Sequence, residues 1–269
     1  AEKNPNVQAV VLQGAGKAFV AGADIRYFVT KIKSDRIQDI VDFTRKGHEL
    51  LLRIENSDKL TIALLDGLSL GGGSELALAC QAIIATPAGS LGFPETGIGI
   101  FPGLGGMLRM TRHVGPELAK YYVFTGAPLS ATDAQSLGIV DRVVPAADVD
   151  GAIRDLVSKG KPEKYRRRSV PDKFKPMAAI GQKENVQRLL AGTPPSGVDD
   201  ALATKTAKIV GYKAPLALKL TDEIIDAQIG KPMETAVEIE LERLAEIFSS
   251  ADALEGLSSL GRRRPEFKG

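Results

Sequence analysis

Short apolar runs alternate with amphipathic segments along the first half of the chain. A glycine turn follows each of the first two runs, and an apolar run bounded by turn residues is typical of a buried strand. Three buried strands are predicted in this way, at residues 7–12, 60–65 and 82–86. Apolar positions at helical spacing predict helices at residues 34–55, 74–80, 107–111 and 115–124. Because strands alternate with helices, we expect an α/β fold.

The strand pattern ends after Pro145, and the rest of the chain is predicted to be helical. Helices are expected at residues 152–157, 186–190, 201–210, 214–227 and 233–248. The chain is therefore divided into a core, residues 1–145, and a helical region, residues 146–269. Residues 159–175 form a linker rich in Lys and Arg, here called the basic linker. We interpret it as either a solvated connection or a contact for phosphates or an acidic partner.

The composition limits the classes of function. With 35 Lys and Arg against 33 Asp and Glu in 269 residues, the net charge of +2 makes nucleic acid or a membrane surface an improbable partner. One cysteine, Cys80, and two histidines, His48 and His113, cannot build a disulfide framework or a zinc site, so no metal is expected. The sequence has no apolar stretch near the ~20 residues of a membrane span and no apolar signal segment at its start, so a cytoplasmic protein is expected.

Two glycine-rich turns, residues 21–24 and residues 71–75, each follow a strand signal and precede a helix. Backbone N–H groups at such a helix start bind anions, and two that converge could hold the negative oxygen of an enolised thioester. Neither turn has the G-x-G-x-x-G spacing of a dinucleotide site. Ordinary tight turns are the alternative interpretation. A third glycine element, residues 101–106, could offer a further N–H group to a water molecule.

Two glutamates stand in apolar surroundings beside these turns. Glu75 begins an otherwise apolar helix, and Glu95 follows 20 residues later among apolar residues and glycines. Carboxylates are seldom buried without a reason, and two of them with separated pKa values can act as an acid and a base. Alternatively, either glutamate caps a helix or pairs with an arginine. Arg109, Arg112 and both histidines are interpreted as structural or ion-pairing residues.

Together these motifs resemble those of the enoyl-CoA hydratase (crotonase) family. The similar segments lie, in the family's order, within residues 17–25, 66–77, 93–106, 126–140, 248–256 and 264–268. They cover most of the chain, and several ordered motifs are far more specific than one glycine cluster. The resemblance implies a spiral of β/β/α turns with a C-terminal α-helical trimerisation region. It also implies an acyl-CoA thioester substrate and no cofactor, because coenzyme A is part of the substrate.

The resemblance also implies roles for individual residues. The N–H groups of Ala23 and Gly72 would form an oxyanion hole for the thioester carbonyl. Glu75 and Glu95 would hold the water that adds across the double bond, with Glu75 activating the hydroxyl portion and Glu95 delivering a proton to C2. The Gly103 N–H group would help to fix that water.

Contacts with coenzyme A are implied at both ends of the chain. Arg26 matches a position that is often basic near the adenine or phosphates, and Phe248 and Lys268 match C-terminal positions that can reach CoA. The full set of implied CoA-binding residues is Ala21, Asp24, Ile25, Arg26, Phe248 and Lys268. Alternatively, these residues are ordinary surface charges or a core aromatic.

Two departures from the family pattern bear on organisation. The family's initial strand-turn-strand unit, expected before Val7, is missing, and residues 159–204 are longer than the usual connection. Similar segments occur fused to a 3-hydroxyacyl-CoA dehydrogenase, so a fused or partner dehydrogenase is suspected. The competing functions are double-bond isomerisation on the same scaffold, for which one glutamate suffices, and a non-enzymatic RNA-binding relative, which the near-zero net charge makes improbable.

The helices after Ala214 carry apolar faces that are too extensive for one subunit, so a trimer or a dimer of trimers is predicted. Light scattering at micromolar protein concentration should give the mass of three or six chains. A clean monomer that keeps full activity would contradict this prediction.

Overall fold

A computed structural model describes residues 1–165 and 169–269. In these ranges the chain forms eight strands, most of them short. They are β1 (Ala9–Gln13), β2 (Ala18–Val20), β3 (Leu60–Leu65), β4 (Leu68–Leu70), β5 (Ala82–Ala85), β6 (Ser90–Gly92), β7 (Leu129–Ser130) and β8 (Arg142–Val143).

The strands form two four-stranded sheets. The first sheet has the order β1-β3-β5-β8 with all neighbours parallel, and the second has the order β2-β4-β6-β7 with β7 antiparallel to β6. Each of the first three strand pairs places its first member in the first sheet and its second member in the second sheet, and the last pair, β7 and β8, reverses this order. The chain therefore climbs as a spiral of β/β/α turns, and the predicted α/β fold is confirmed.

Fourteen α-helices complete the described part of the chain. They are α1 (Ile25–Lys33), α2 (Ile37–Glu55), α3 (Gly72–Ala79), α4 (Gly106–Val114), α5 (Pro116–Thr125), α6 (Ala131–Ser136), α7 (Val149–Lys159), α8 (Lys175–Ile180), α9 (Lys183–Leu190), α10 (Asp200–Val210), α11 (Pro215–Gln228), α12 (Met233–Leu241), α13 (Leu244–Phe248) and α14 (Ala251–Ser259). Short 3₁₀ helices lie at Glu95–Ile98, Ala146–Asp148 and Asp172–Phe174.

Most predicted elements exist, with corrections at their ends. The predicted strand at residues 60–65 coincides with β3. The predicted helix at residues 34–55 starts too early, because Asp35 adopts a left-handed backbone conformation (φ 54°) that separates α1 from α2. The predicted helix at residues 233–248 is interrupted after α12 and resumes as α13.

The largest of three hydrophobic clusters contains residues from both predicted regions of the chain. Every residue of β3 is buried, as expected of a parallel strand covered on both faces. Helix α3 packs against α4, and α4 packs against α5 and α11. Phe28 of α1 stacks on Phe248 of α13 with ring centroids 5.2 Å apart. The helical region after residue 145 is therefore continuous with the core of the first 145 residues.

Two lysines of the basic linker are attached to the chain at the end of α2. Lys164 Nζ donates to Glu55 Oε1 at 2.7 Å, and Lys161 Nζ donates to the Ser57 carbonyl at 2.5 Å. The Lys164 side chain is only 16% exposed, so it belongs to an internal ion pair rather than to a solvated connection. Residues 166–168, the arginines of this linker, lie outside the described residues.

Among residues 1–165 and 169–269, the structure shows no helix that could span a bilayer. The same residues contain no group of three or more His, Cys, Asp and Glu side chains arranged to hold a metal ion.

A backbone contact without side chains joins α14 to the 3₁₀ helix that carries Glu95. A Cβ atom at Gly256 would lie 2.3 Å from both the carbonyl carbon and the oxygen of Ile98. A Cβ atom at Gly99, where φ is +85°, would lie 2.1 Å from the Asp252 carbonyl oxygen. Glycine is needed at both positions for the two backbones to approach this closely.

Gly256→Ala should therefore destabilise the protein by about 1–3 kcal/mol, because the added methyl group displaces the Ile98 backbone. Gly151→Ala is the matched control, since Gly151 also lies in a helix but an added Cβ meets no atom within 4 Å. That variant should gain roughly 0.5–1 kcal/mol from helix propensity. Denaturant unfolding measures both changes, and equal effects of the two variants would refute the packing argument.

Candidate active site

A cavity of about 300 Å³ opens among the loop before α1, the start of α3 and the C-terminal helices. Its lining is mostly apolar, with two carboxyl groups and several exposed backbone segments. The lining residues are Ala21, Gly22, Ala23, Ile25, Phe28, Phe43, Thr44, Leu70, Gly71, Gly72, Glu75, Pro94, Glu95, Ile98, Ile100, Phe101, Gly103, Leu104, Leu244, Phe248 and Leu260. Such a concave apolar site with few polar groups is the usual form of a small-molecule pocket.

Glu75 lies in the first turn of α3 and is 2% exposed. Its Oε1 atom accepts the N–H groups of Leu104 at 2.7 Å and of Gly106 at 2.9 Å. A Cβ atom at residue 106 would come within 2.9 Å of that same oxygen, so glycine permits the contact. The second oxygen, Oε2, lies 3.9 Å from the position of a Cβ atom on Gly72. One oxygen is thus anchored, and the other faces the glycine turn at the cavity wall.

Glu95 begins the 3₁₀ helix Glu95–Ile98 and is 7% exposed. Its Oε1 atom lies 2.6 Å from where a Cβ atom of Gly71 would be, and Gly71 has φ +52°, so any side chain there would be strained and would collide with the carboxyl group. Its Oε2 atom is buried and has no hydrogen-bond partner among the described residues. An unpaired buried carboxyl oxygen is unusual in a folded protein.

The two glycine turns meet at the cavity. The Ala23 nitrogen lies 4.0 Å from the position of a Cβ atom on Gly72, and both residues line the cavity. This closeness depends on Gly73, because a Cβ atom there would lie 2.1 Å from the Val20 carbonyl oxygen. The structure therefore brings the backbone at Ala23 and at Gly72 beside Glu75, and two N–H groups so placed can stabilise an anionic oxygen.

Burial and neighbouring charge change the acidity of both glutamates. The pKa of Glu75 is raised to about 7, first by burial and then by the negative charge of Glu240, while the N–H groups of Gly106 and Leu104 oppose the rise. Burial and then the charge of Glu75 raise the pKa of Glu95 well above its usual range. Carboxyl groups that share a low-dielectric site cannot easily ionise together. The pair can therefore hold a proton near neutral pH, as acid–base chemistry requires.

Sequence reasoning missed the groups that hold Glu75 in place. The donors to Glu75 are Leu104 and Gly106. Gly103 lines the cavity, and its carbonyl oxygen accepts a hydrogen bond from His48 Nε2 at 2.9 Å. The contact of its N–H group with the reacting water stays a prediction. Glu240 of α12 is fully buried and accepts the Gly105 N–H group at 2.7 Å. Only its placement in the apolar face of a predicted helix could have indicated it.

The residues implied in CoA binding divide into two groups. Ala21, Ile25 and Phe248 line the cavity. Asp24 instead caps α1 by accepting the Arg26 N–H group at 3.0 Å, and the exposed Arg26 side chain folds back to pair with it. Lys268 also lies outside the cavity lining. Its side chain is exposed, and its backbone N–H group donates to Asp252 at 2.8 Å. Contacts of these six residues with CoA remain predictions.

Comparison with known proteins places this site in a family. The family described as "Enoyl-CoA hydratase/isomerase" matches residues 1–267 of the chain. The chain belongs to the enoyl-CoA hydratase/isomerase family. A probable enoyl-CoA hydratase of Bacillus subtilis is 30% identical over 269 residues, which cover all of this chain and 84% of that relative. This similarity identifies the chain as an enzyme of the family.

Further relatives of this hydratase/isomerase chain agree with the assignment. A short-chain-enoyl-CoA hydratase of Clostridium acetobutylicum is 28% identical over 264 residues. The match covers 98% of this chain and 80% of that relative. An enoyl-CoA hydratase structure from Rhodobacter sphaeroides superposes with a TM-score of 0.82 at 25% identity, covering all of this chain and 81% of that one. A fatty acid oxidation complex subunit alpha of Psychrobacter arcticus is 38% identical over 158 residues, which span 59% of this chain and 22% of that relative.

The raised pKa of Glu75 makes the stability of this enzyme depend on pH. Because folding favours the protonated carboxyl, its contribution is complete below pH 4.5 and is lost as the pH rises through about 7. Glu75→Gln mimics the protonated form, so its unfolding free energy relative to wild type should rise by about 2 kcal/mol between pH 5 and pH 8.

Denaturant unfolding at both pH values tests this difference. The control is Glu242→Gln, an exposed glutamate, which should change the unfolding free energy by less than about 0.5 kcal/mol at either pH. Parallel pH dependence of the wild type and Glu75→Gln would show that the Glu75 carboxyl ionises normally.

Proposed function

We propose that the protein hydrates 2-enoyl-CoA thioesters, adding water across the 2,3 double bond. The observation that carries this proposal is that the buried carboxyl groups of Glu75 and Glu95 line one apolar cavity beside the backbone of Ala23 and Gly72. Hydration needs a base and an acid near one water and donors for the thioester oxygen. The similarity to named enoyl-CoA hydratases supports the same reaction.

The proposed reaction starts with the thioester oxygen between the Ala23 and Gly72 N–H groups. Glu75, as the carboxylate, takes a proton from water, and the hydroxide portion bonds to C3 while negative charge moves onto the thioester oxygen. Glu95, as the acid, gives its proton to C2 as the enolate collapses. The proton gained by Glu75 and the proton lost by Glu95 balance, so exchange with solvent restores the site. A pKa of about 7 suits Glu75 to both protonation states at neutral pH.

The proposal extends to the partners of the enzyme. We expect a trimer or dimer of trimers, for which the exposed apolar side chains of Ile229 and Leu260 in the helical region offer contact surface. A 3-hydroxyacyl-CoA dehydrogenase, fused or separate, would oxidise the product, and the match to a fatty acid oxidation complex subunit supports this link. An RNA-binding role has the net charge of +2 against it.

Glu75→Gln and Glu95→Gln should each lower kcat for crotonyl-CoA hydration by on the order of 10² to 10⁴, the usual contribution of a positioned acid or base. Both groups act on one water in one transition state, so the double variant should lose much less than the product of the single losses. Loss of enoyl-thioester absorbance measures the rate.

Glu117→Gln is the matched control, because Glu117 also lies in the first turn of a helix but lies away from the cavity. Its kcat should stay within about twofold of wild type. If Glu75→Gln leaves activity nearly intact while Glu95→Gln abolishes it, a single-base isomerase is the better description. If neither substitution matters, the proposed hydration mechanism is wrong.

A further inference from the structure

Two buried side chains hold the loop that donates to Glu75. His48 Nε2 lies 2.9 Å from the Gly103 carbonyl oxygen and 3.2 Å from Glu240 Oε1. The same Oε1 atom accepts the Gly105 N–H group at 2.7 Å. The side chains of His48 and Glu240 are 1% and 0% exposed. Because this contact excludes water, each of its hydrogen bonds is costly to leave unmade.

The arrangement fixes the protonation of the imidazole at one nitrogen. The Gly103 carbonyl and the Glu240 carboxylate are both acceptors, so His48 Nε2 must carry a hydrogen atom to interact with either. Nδ1 has no hydrogen-bond partner among the described residues. His48 therefore donates toward the Gly103 carbonyl and the Glu240 carboxylate. Glu240 in turn accepts the N–H group of Gly105.

A third side chain, that of Arg109, holds the same loop from another direction. Arg109 Nη1 donates to the Leu104 carbonyl at 3.2 Å, and its Nη2 atom donates to Glu55 Oε2 at 2.8 Å. Gly105 has φ +83°, and a Cβ atom there would lie 2.3 Å from Arg109 Nη1. The loop is therefore held at residue 103 by His48, at residue 104 by Arg109 and at residue 105 by Glu240. Its shape requires glycine at residue 105.

These contacts with the loop affect Glu75, the proposed base. The Gly105 N–H group that Glu240 binds lies between the Leu104 and Gly106 N–H groups that both point at Glu75 Oε1. We infer that Glu240 is a positioning residue for the reaction: through Gly105 it aims two backbone donors at Glu75, and its negative charge acts on the Glu75 carboxyl. The His48 imidazole holds Glu240 in this orientation. The inference rests on the proposed function, because it concerns the base of that reaction.

The charge of Glu240 supports the same conclusion. It is the second cause, after burial, that raises the pKa of Glu75, and it also raises the pKa of Glu95. The charged and titratable groups around this part of the site are His48 on α2, Glu75 on α3, Arg109 on α4, and beyond them Glu95 and Lys213. Removing the charge of Glu240 therefore lets Glu75 ionise at lower pH, while the positive groups remain in place.

The test compares Glu240→Ala with Glu240→Gln in the full chain. Glu240→Ala removes the acceptor for Gly105, so kcat for crotonyl-CoA should fall about 10- to 100-fold while KM changes by less than about threefold. Glu240→Gln keeps an acceptor oxygen and should recover most of kcat. Both variants lack the charge, so Glu75 should ionise at lower pH in both. An infrared titration of the protonated carboxyl band, assigned by its loss in Glu75→Gln, measures that ionisation without any need for turnover.

Glu238→Ala is the matched control, because Glu238 lies on the same helix but faces solvent, where it pairs with Arg45. It should match the wild type in kcat and in the infrared titration. A Glu240→Ala enzyme with kcat within about twofold of wild type would overturn the inference. So would a Glu240→Gln enzyme in which Glu75 ionises at the wild-type pH, and this second result decides the matter if Glu240→Ala does not fold. A wild type without hydratase activity would overturn the proposed function alone, since the infrared titration still tests Glu240.

Discussion

A carboxyl group removed from water loses its solvation, and hydrogen bonds within the protein must replace it. Glu75 meets this requirement with two backbone donors from one loop, and much of the surrounding structure follows from it. The loop needs glycine at residues 105 and 106, the first for its backbone conformation and the second for close approach. The backbone groups of this loop in turn bond to His48, Glu240 and Arg109. The buried Glu75 carboxyl is therefore one member of a connected polar network.

The turns of the spiral are stacked by backbone contact at the places where side chains would keep them apart. Gly73 approaches the Val20 carbonyl, and Gly256 approaches Ile98. The first contact brings the two N–H-bearing turns to one point, and the second fixes the short helix of Glu95 against α14. In both cases an apolar core supplies the stabilisation, while a glycine sets the distance between the backbone segments that line the cavity.

The sequence predicts those parts of the molecule whose signal is local. Strand β3 is a continuous apolar run, and Glu75 stands out because it interrupts an apolar helix beside a glycine turn. Strands of two or three residues, such as β7 and β8, carry no measurable periodicity. The sequence does not predict the partner of Glu240, because Gly105 is 135 residues away, and the only local signal is the position of Glu240 on the apolar face of a predicted helix.

The separation of Glu240 and Gly105 along the chain also affects the order in which contacts are expected to form during folding. The entropy lost on closing a chain loop grows with its length, so we expect contacts within the first turns of the spiral to form before a contact that spans 135 residues. A nascent chain can thus bury β3 and α3 while the glycine loop still lacks its final partner. The polar network around Glu75 is complete only when α12 has docked, so the surroundings of this buried carboxyl depend on the C-terminal helices.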